Sequence, residues 1–318
     1  MDDFSYGFIA FRVREKKPEL LFLKRKEGFL DVPKGHPEGD ENKIEAALRE
    51  MKEETGLAPE EILKGFRMKA DYSMGRDSGK RTKHILLFLC RASGDPTVSS
   101  EHLGFEWFSE EEMRASDESF VGNAKSGIME AFEYIRRNDE MERLNAEYSK
   151  LPNLNAGWEL SSNFVPGTGN LLAGVMLIGQ APGAEEDRSG VPFVGRSGKL
   201  LDRLISIAGM EREELYITSV VQFFPPKNRL PSREETALCL PYLRRQIEIV
   251  KPRVIVTLGA LSSYSLAKVE RIALNHGIPV ILDGITYFPS LHPAAGIRFK
   301  KNVALLEKDF KELGKLIG

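Results

Sequence analysis

Cysteine is scarce in this chain of 318 residues, which contains only Cys90 and Cys239. Two cysteines exclude a disulfide framework as the main source of stability and favour an intracellular setting. No apolar run is long enough to cross a bilayer, so we expect no membrane partner. The first residues are acidic and lack a basic segment followed by an apolar one, which predicts no secretory signal and a cytoplasmic location.

Net charge is also small, at −2, but the charges are distributed unevenly. Acidic side chains outnumber basic ones over residues 1–150, and the reverse holds over residues 151–318. The acidic half suits a metal site, whereas the basic excess of the second half is too small to argue for a polyanionic partner by itself. The length favours two domains.

Local patterns in the first half are those of an α/β domain. Alternating apolar residues over 6–13 predict a strand, and the apolar run 84–89 predicts a buried one. Residues 42–55 have apolar side chains at helical spacing and stop before Gly56, a typical C-terminal cap. A charged segment without proline predicts a further helix over 122–151.

The second half alternates apolar strands with amphipathic helices. Strands are predicted at 175–179, 215–218, 254–259 and 280–282, and helices at 200–208 and 239–250. This alternation predicts a doubly wound parallel sheet covered on both faces. Ligands of such sheets bind beyond the carboxyl ends of the strands, which here points to the loop 179–183 and to Ser219.

Three glutamates in the first half share one helical face. Glu50, Glu53 and Glu54 are spaced at i, i+3 and i+4, and carboxylates so close repel each other unless a cation joins them. Mg²⁺, or Mn²⁺ in its place, is the natural candidate because hard cations prefer oxygen ligands. Arg49 can orient or neutralise one of the carboxylates. A solvated acidic face is the alternative for three glutamates alone.

The surrounding residues match a known pattern. Gly35, five residues, Glu41, seven residues and then Arg49-Glu50-Met51-Lys52-Glu53-Glu54-Thr55-Gly56-Leu57 form the Nudix signature. The chain therefore resembles Nudix hydrolases, which implies an α/β/α sandwich over residues 1–140. The resemblance also implies that the three glutamates bind the metal and that one of them, or a nearby glutamate, activates water to cleave a phosphoanhydride.

The loop before this helix indicates a substrate class. Pro33-Lys34-Gly35-His36 is similar to the phosphate-binding loop of asymmetrical diadenosine tetraphosphatases, a Nudix branch. This similarity implies that Lys34, Gly35, His36 and Lys83 hold a polyphosphate and that Tyr72 stacks on adenine, although Tyr72 could equally be a packed strand residue. Damaged nucleoside triphosphates and 5′-phosphorylated RNA ends remain alternative substrates.

Six stretches of the second half follow one another in a recognisable order. They are Val165–Asn170, Gly179–Gly183, Pro192–Gly198, Tyr216–Val221, Pro225–Arg229 and Leu291–Ala295. Through these stretches the second half resembles the uracil-DNA glycosylase superfamily, chiefly its thermostable iron–sulfur branch. The resemblance implies a domain over residues 159–318, joined through a helical linker at 141–158, that flips a base out of DNA. The residues implied to form the base pocket are Gln180, Ala181, Phe193, Ser219 and His292.

Within that pocket, the resemblance implies that Phe193 stacks on the base and that Gln180 and the Ala181 backbone contact a pyrimidine. His292 would stabilise the negative charge that develops on the leaving base. The loop 227–229 could contact DNA phosphates, although such residues also suit any solvated loop.

This chain departs from the iron–sulfur branch at several positions. That branch holds its cluster with four cysteines, but only Cys239 stands where one is expected, and Phe223 replaces another. We therefore expect no iron–sulfur cluster. Gln180 and Ser219 stand where the branch usually has Glu and Asn, which predicts weak DNA binding and slow or absent uracil excision. The alternatives are an active glycosylase, a non-catalytic DNA- or nucleotide-binding module, and a structural partner of the Nudix domain.

Overall fold

A computed structural model describes residues 3–74, 81–120, 125–154 and 159–318 of the chain. Its contacts divide the chain into two units, Met1–Asn138 and Asp139–Gly318. Within the described ranges, no helix is both long enough and apolar enough to span a membrane.

The first unit is built on a mixed sheet. Its strands are β1 Asp3–Arg14, β2 Lys17–Arg25, β3 Leu30–Asp31, β4 Lys34–Gly35, β5 Glu61–Met74, β6 Arg81–Arg91 and β7 His102–Ser109. Its helices are α1 Lys43–Thr55, α2 Glu110–Ala115 and the first part of α3 Lys125–Tyr148. The main path of the sheet is β3-β2-β1-β6-β5, with β4 beside β1 and β7 beside β2. Strands β1 and β6 run parallel, and the other pairs are antiparallel.

The helix predicted over 42–55 is present as α1, which begins one residue later, at Lys43, and ends at Thr55. Asn42 and Glu45 form a capping box at its start, and Gly56 closes it in the left-handed conformation with φ 69°. Its apolar face, which includes Ala47 and Met51, packs into a core with Phe8 and other sheet residues. Burying this face leaves Glu53 exposed and Glu50 half-buried, whereas Glu54 is itself buried.

The second unit contains a largely parallel sheet with helices around it. Its strands are β8 Thr168–Gly169, β9 Val175–Gly179, β10 Tyr216–Ser219, β11 Val254–Leu258, β12 Val280–Leu282 and β13 Ile285–Ser290. Its helices after α3 are α4 Leu151–Leu154, α5 Ala184–Ser189, α6 Arg196–Ile207, α7 Arg233–Val250, α8 Ala260–Ala267, α9 Ile272–Asn275, α10 Pro293–Arg298 and α11 Lys301–Ile317. The sheet order is β12-β13-β11-β9-β10-β8.

The parallel strands β13, β11, β9 and β10 lie side by side, and antiparallel β12 and β8 form the edges. The predicted doubly wound sheet is therefore present, and the strand predicted at 280–282 is confirmed, but strand β13 was not predicted. Residues 280–282 form an antiparallel edge strand, and the parallel neighbour of β11 is β13. Pattern analysis missed β13 because Thr286 and Pro289 interrupt its apolar run. The carboxyl ends of β9, β10, β11 and β13 meet at one edge, where the loops of the second site begin.

Candidate functional site

Arg49 gathers the carboxylates of the first site. Its Nη1 atom donates hydrogen bonds to Glu50 at 2.7 Å and to Glu53 at 3.2 Å. Its Nε and Nη2 atoms bind both oxygens of Glu41, at 2.9 and 3.1 Å, and Nη2 also bonds the His36 carbonyl at 2.7 Å. These bonds, Glu41 first, raise the pKa of Arg49 above its ordinary value. The oxygens of Glu50 and Glu53 thus converge on one positively charged atom.

Gly35 makes room for one of these carboxylates. A Cβ atom at Gly35 would lie 2.1 Å from the carboxyl group of Glu50. Any side chain there would have to push Glu50 away from Arg49. The glycine of the signature is therefore required by close packing against the acidic helix.

Glu54 differs from its neighbours because it is buried. One of its oxygens accepts the Lys34 backbone N–H at 3.0 Å, while the other lies 3.9 Å from Arg25 and 3.8 Å from His102. Burial raises the pKa of Glu54 to about 7, although the Lys34 amide opposes the shift. Glu53, whose side chain is 60% exposed, has no comparable environment. The two adjacent carboxylates therefore differ in solvation.

The loop lysine predicted to bind phosphate is held internally. The ammonium group of Lys34 contacts both oxygens of Asp31 at 2.5 Å, and the side chain is buried. Burial lowers the pKa of Lys34, and Asp31 opposes that shift. Phosphate binding by Lys34 stays a prediction, and it requires the ammonium group to leave Asp31. Sequence reasoning missed Asp31, because nothing local to Lys34 marks it as the partner.

Two other predicted phosphate ligands lie beside Asp3. His36 is exposed and its Nε2 atom is 2.5 Å from Asp3 Oδ1, while Lys83 is half-buried and pairs with Asp3 across β1 and β6. Tyr72 pairs with Lys83 across β5 and β6. The side chain of Tyr72 lies outside the part of the chain that the structure describes, so its stacking role stays a prediction.

The acidic residues of the first site offer the type of donor atom, carboxylate oxygen, that a divalent cation such as Mg²⁺ prefers. Glu50, Glu53 and Glu54 offer only oxygen donors, and a positive group, Arg49 Nη1, already compensates two of them. Among the described residues, no three His, Cys, Asp or Glu side chains converge closely enough to hold a metal ion. Binding one would require the carboxylates to rearrange around it.

The second site begins with a close approach of three residues at the ends of β9 and β10. A Cβ atom at Gly179 would lie 2.6 Å from the Phe193 ring and 3.1 Å from Ser219 Oγ. Phe193 is buried and has φ 55°, a left-handed conformation that costs a bulky residue about 1–3 kcal/mol. The absence of a side chain at Gly179 lets the Phe193 ring rest against the strand end.

Gln180 and His292 meet over a second glycine. A Cβ atom at Gly259, after β11, would lie 3.1 Å from His292 Cβ and 3.2 Å from the Gln180 amide. The Phe193 and His292 rings stack with centroids 5.8 Å apart and an interplanar angle of 26°. The structure thus brings Gln180, Phe193, Ser219 and His292 together, and Ala181 follows in the same loop. Their roles toward a base stay predictions.

His292 is held in one tautomer. Its Nδ1 atom accepts the Ala294 N–H at 3.1 Å, which leaves Nε2 as the ring nitrogen that carries hydrogen. Desolvation lowers the pKa of His292 to about 4, and the charge of Glu186 partly opposes this shift. A neutral imidazole can stabilise negative charge on a leaving base by donating a hydrogen bond from Nε2–H.

An aromatic cluster in the second unit includes Tyr148, which interacts with Cys239. Tyr148 stacks on Tyr242 with centroids 4.3 Å apart, and it contacts Phe164 and Phe223 edge-on at 5.2 and 5.3 Å. Tyr148, Phe223 and Cys239 are fully buried. Burial raises the pKa of the Cys239 thiol to about 12, which keeps it protonated. Close packing therefore fills the region around the cysteine.

The loop predicted to contact DNA phosphates is partly committed to internal contacts. Arg229 makes a two-pronged ion pair with Glu235, at 2.6 and 2.8 Å. Lys227 and Asn228 both have positive φ, at 57° and 56°. Phosphate contact by the loop stays a prediction.

Comparison with known proteins confirms the two resemblances. The NUDIX domain matches residues 4–127, and the Uracil DNA glycosylase superfamily matches residues 166–314. The type-4 uracil-DNA glycosylase of Sulfurisphaera tokodaii is 41% identical over 172 residues, which are 50% of this chain and 77% of that protein. The corresponding protein of Saccharolobus solfataricus is 43% identical over 166 residues, 49% of this chain and 77% of its own length.

The chain therefore belongs to the uracil-DNA glycosylase superfamily through its second half, and residues 4–127 of its first half match the NUDIX domain. Among solved structures, a C. elegans Ap4A hydrolase binary complex is similar at 21% identity, covering 41% of this chain and 96% of that one, with a TM-score of 0.32. The MutT protein of Methanosarcina mazei is similar at 25% identity, covering 43% and 96%, with a TM-score of 0.33. Nudix hydrolases generally use divalent metals such as Mg²⁺.

Proposed function

We propose that the first unit is a magnesium-dependent hydrolase of nucleoside polyphosphates that prefers diadenosine tetraphosphate and releases ATP and AMP. The observation that carries the proposal is the convergence of Glu50 and Glu53 on Arg49 beside Gly35. This arrangement concentrates negative charge where a loop backbone can approach phosphate. Glu50, Glu53 and Glu54 would hold the metal, which when bound screens the phosphate charge and activates water.

The reaction consumes one water. Its oxygen forms a bond to a phosphorus atom, the bridging P–O bond breaks, and a glutamate accepts the water proton. Glu54 is a reasonable acceptor because burial raises its pKa to about 7, closer to the working pH than an exposed glutamate. Arg49 has a positioning role, since it aligns Glu50 and Glu53 through one nitrogen atom.

A long polyphosphate is favoured by the spread of basic groups near the acidic helix. His36 and Lys83 both lie at Asp3, and Lys34 precedes Gly35. A chain of four phosphates can contact groups at both places, and the binding energy of such remote contacts can lower the barrier at the reacting phosphorus. Single nucleoside triphosphates offer fewer phosphates for the same groups.

The direct test compares substrates on the full chain with Mg²⁺. We expect kcat/KM for diadenosine tetraphosphate to exceed the values for ATP, an oxidised nucleoside triphosphate and 5′-triphosphate RNA, with ATP and AMP separated as products by ion-exchange chromatography. A higher kcat/KM for any of the other three would show that the branch of the family is wrong. No hydrolysis of the whole panel with either Mg²⁺ or Mn²⁺ would reject the hydrolase proposal.

For the second unit, we propose a base-binding pocket that binds DNA weakly and excises uracil slowly or not at all. The observation that favours a base pocket is the assembly of Phe193, His292 and Gln180 around two glycines. Slow excision is expected because the short, buried Ser219 offers less contact with a uracil edge than a longer amide would.

Titration with single-stranded, uracil-containing DNA separates the alternatives for this unit. A pocket that binds DNA should show an affinity that falls with salt, because cations condensed on the phosphates are released on binding. A purely structural partner of the Nudix domain should show no such binding. Excision at the rate of an intact glycosylase would instead identify this half as a working repair enzyme.

A further inference from the structure

Glu186 is a buried carboxylate that accepts hydrogen bonds from backbone amides in two loops. It lies in α5, and one oxygen accepts the Gly183 N–H at 3.0 Å. The other oxygen accepts the Val194 N–H at 3.0 Å and the Gly195 N–H at 2.8 Å. Glu186 is 7% exposed. A single side chain thereby joins the loop that follows β9 to the loop that carries Phe193.

The loop that carries Phe193 needs such support. Phe193 has φ 55°, and its carbonyl oxygen would lie 1.8 Å from a Cβ atom at Gly198. On the other side of the residue, Arg212 donates a hydrogen bond to the Pro192 carbonyl at 2.8 Å. A bulky residue keeps a left-handed conformation only where its surroundings hold it. The Glu186 bonds at Val194 and Gly195 begin at the residue directly after Phe193.

The other loop carries the second part of the pocket. Gly179 contacts the Phe193 ring, and Gln180 lies beside His292 across Gly259. The Gly183 amide ends this loop, so the Glu186 bond at Gly183 sets its distance from the Phe193 loop. Hydrogen bonds to a carboxylate are stronger than neutral ones, and buried amides that lose their acceptor carry a full desolvation penalty.

We infer that Glu186 is a positioning residue of the base pocket, which holds the Phe193 ring and the Gly179–Gly183 loop in one arrangement. The residue contacts no base itself and acts through backbone amides on both sides of the pocket. The inference rests on the proposed base-binding function, and the two experiments below distinguish their failures.

The first experiment measures the loops themselves in Glu186→Gln. A glutamine has one acceptor oxygen, so at least one of the two loops must face an amide NH₂ group instead. We expect amide hydrogen exchange in residues 179–183 or 193–195 to become about tenfold faster or more. Glu248→Gln removes the same charge from an exposed position on α7 and should leave exchange in these loops unchanged. Equal exchange in wild type and Glu186→Gln would overturn the inference.

Glu186→Asp replaces Glu186→Gln in the exchange measurement if the glutamine variant does not fold. It keeps the charge on a shorter side chain that cannot reach both loops, so faster exchange is again expected in these loops and not elsewhere in the second unit. Exchange at the wild-type rate in both loops of this variant also contradicts the inference.

The second experiment asks whether Glu186 acts through Phe193. Affinity for single-stranded, uracil-containing DNA is measured for Glu186→Gln, Phe193→Ala and the double variant. We expect Glu186→Gln to weaken binding about tenfold in the wild-type background and hardly further in the Phe193→Ala background. Independent, multiplying losses would contradict the inference. Failure of the wild type to bind DNA would reject the base-binding function, while the exchange result still decides the role of Glu186.

Discussion

The Nudix site concentrates ionisable side chains on one helical turn, whereas the pocket of the second unit is built from neutral side chains and glycine backbone. In the first, Glu50 and Glu53 share Arg49, and Glu54 is buried with a pKa raised to about 7. In the second, Phe193 and His292 stack, and desolvation lowers the pKa of His292 to about 4. The first site is therefore distinguished by its charges and the second by its close packing.

The difference follows from the part of the ligand that each site would meet. Phosphates are negatively charged near neutral pH, so a site that binds them needs a metal ion and ionised side chains. The strength of these charge interactions depends on how far solvent screens them. A flipped base is flat and neutral, so a site for it needs close packing and a few well-aimed donors. We therefore expect the two sites to respond differently to the loss of charge, to pH and to metal.

The largest expected effect is on the charged site. Glu53→Gln or Glu54→Gln should lower Nudix hydrolysis on the order of 10³-fold or more, because each removes a charged ligand of the metal. Steady-state hydrolysis at saturating Mg²⁺ measures the loss, and thermal unfolding checks that the fold is intact. Glu27→Gln, at an exposed position between β2 and β3, is the matched control and should retain full activity. Near-normal turnover in either active-site variant would reject the metal-site assignment.

A smaller effect is expected in the neutral pocket. His292→Ala should reduce any residual uracil excision about ten- to a hundredfold, through loss of one hydrogen bond to the leaving base. Ser219→Asn should raise excision if the pocket is a weakened glycosylase site. Excision from a uracil-containing oligonucleotide measures both, with Nudix hydrolysis of the same samples as the control. Excision unaffected by His292→Ala would show that this histidine does not stabilise the leaving base.

The pH dependence should separate the sites further. The pKa of Glu54 is raised to about 7, so below that pH it is protonated and neutral in the metal-free protein. Apparent Mg²⁺ affinity should therefore rise with pH up to about 7, by at most about tenfold per pH unit for one proton, and then level off. Calorimetric titration with Mg²⁺ at several pH values, from about pH 5.5 to about pH 8.5, measures this affinity.

The affinity for uracil-containing DNA should show no change near neutral pH that is caused by protonation of His292. The pKa of His292 is lowered to about 4, so the ring stays neutral at pH values well below the ordinary histidine pKa of 6.5. Comparison of wild type with His292→Ala isolates its contribution. A protonation step near 6.5 that disappears in His292→Ala would contradict the neutral-pocket description.

The smallest expected signal is that of iron. We predict that the purified protein contains no iron and is colourless, because four thiolates are the usual requirement for a cluster and the second half offers only Cys239. Cys239 is fully buried beside Tyr148, which packs against Phe164 and Phe223. Elemental analysis and a visible spectrum measure it. Stoichiometric iron with broad visible absorbance would show that the cluster is retained with other ligands.

Much of the first site could be predicted from the sequence because its geometry is local. The capping box of Asn42 and Glu45, the left-handed Gly56 and the spacing of the glutamates all act within a few residues of α1. The order of motifs likewise indicated both families without any structure. The antiparallel pairing of β12 with β13, and the place of β13 beside β11, could not be predicted from the sequence. Strand pairing depends on residues far away in the chain.

The sequence by itself determined which residue types stand on α1 and at the ends of the parallel strands, because those positions follow from helical spacing and strand alternation. Only the tertiary structure decided which glutamate is buried, that Lys34 turns its ammonium group to Asp31, and that Glu186 bonds two loops. Burial and hydrogen bonding across loops depend on which distant segments meet. The solvation of a side chain, and hence its pKa, is therefore set by the packed fold.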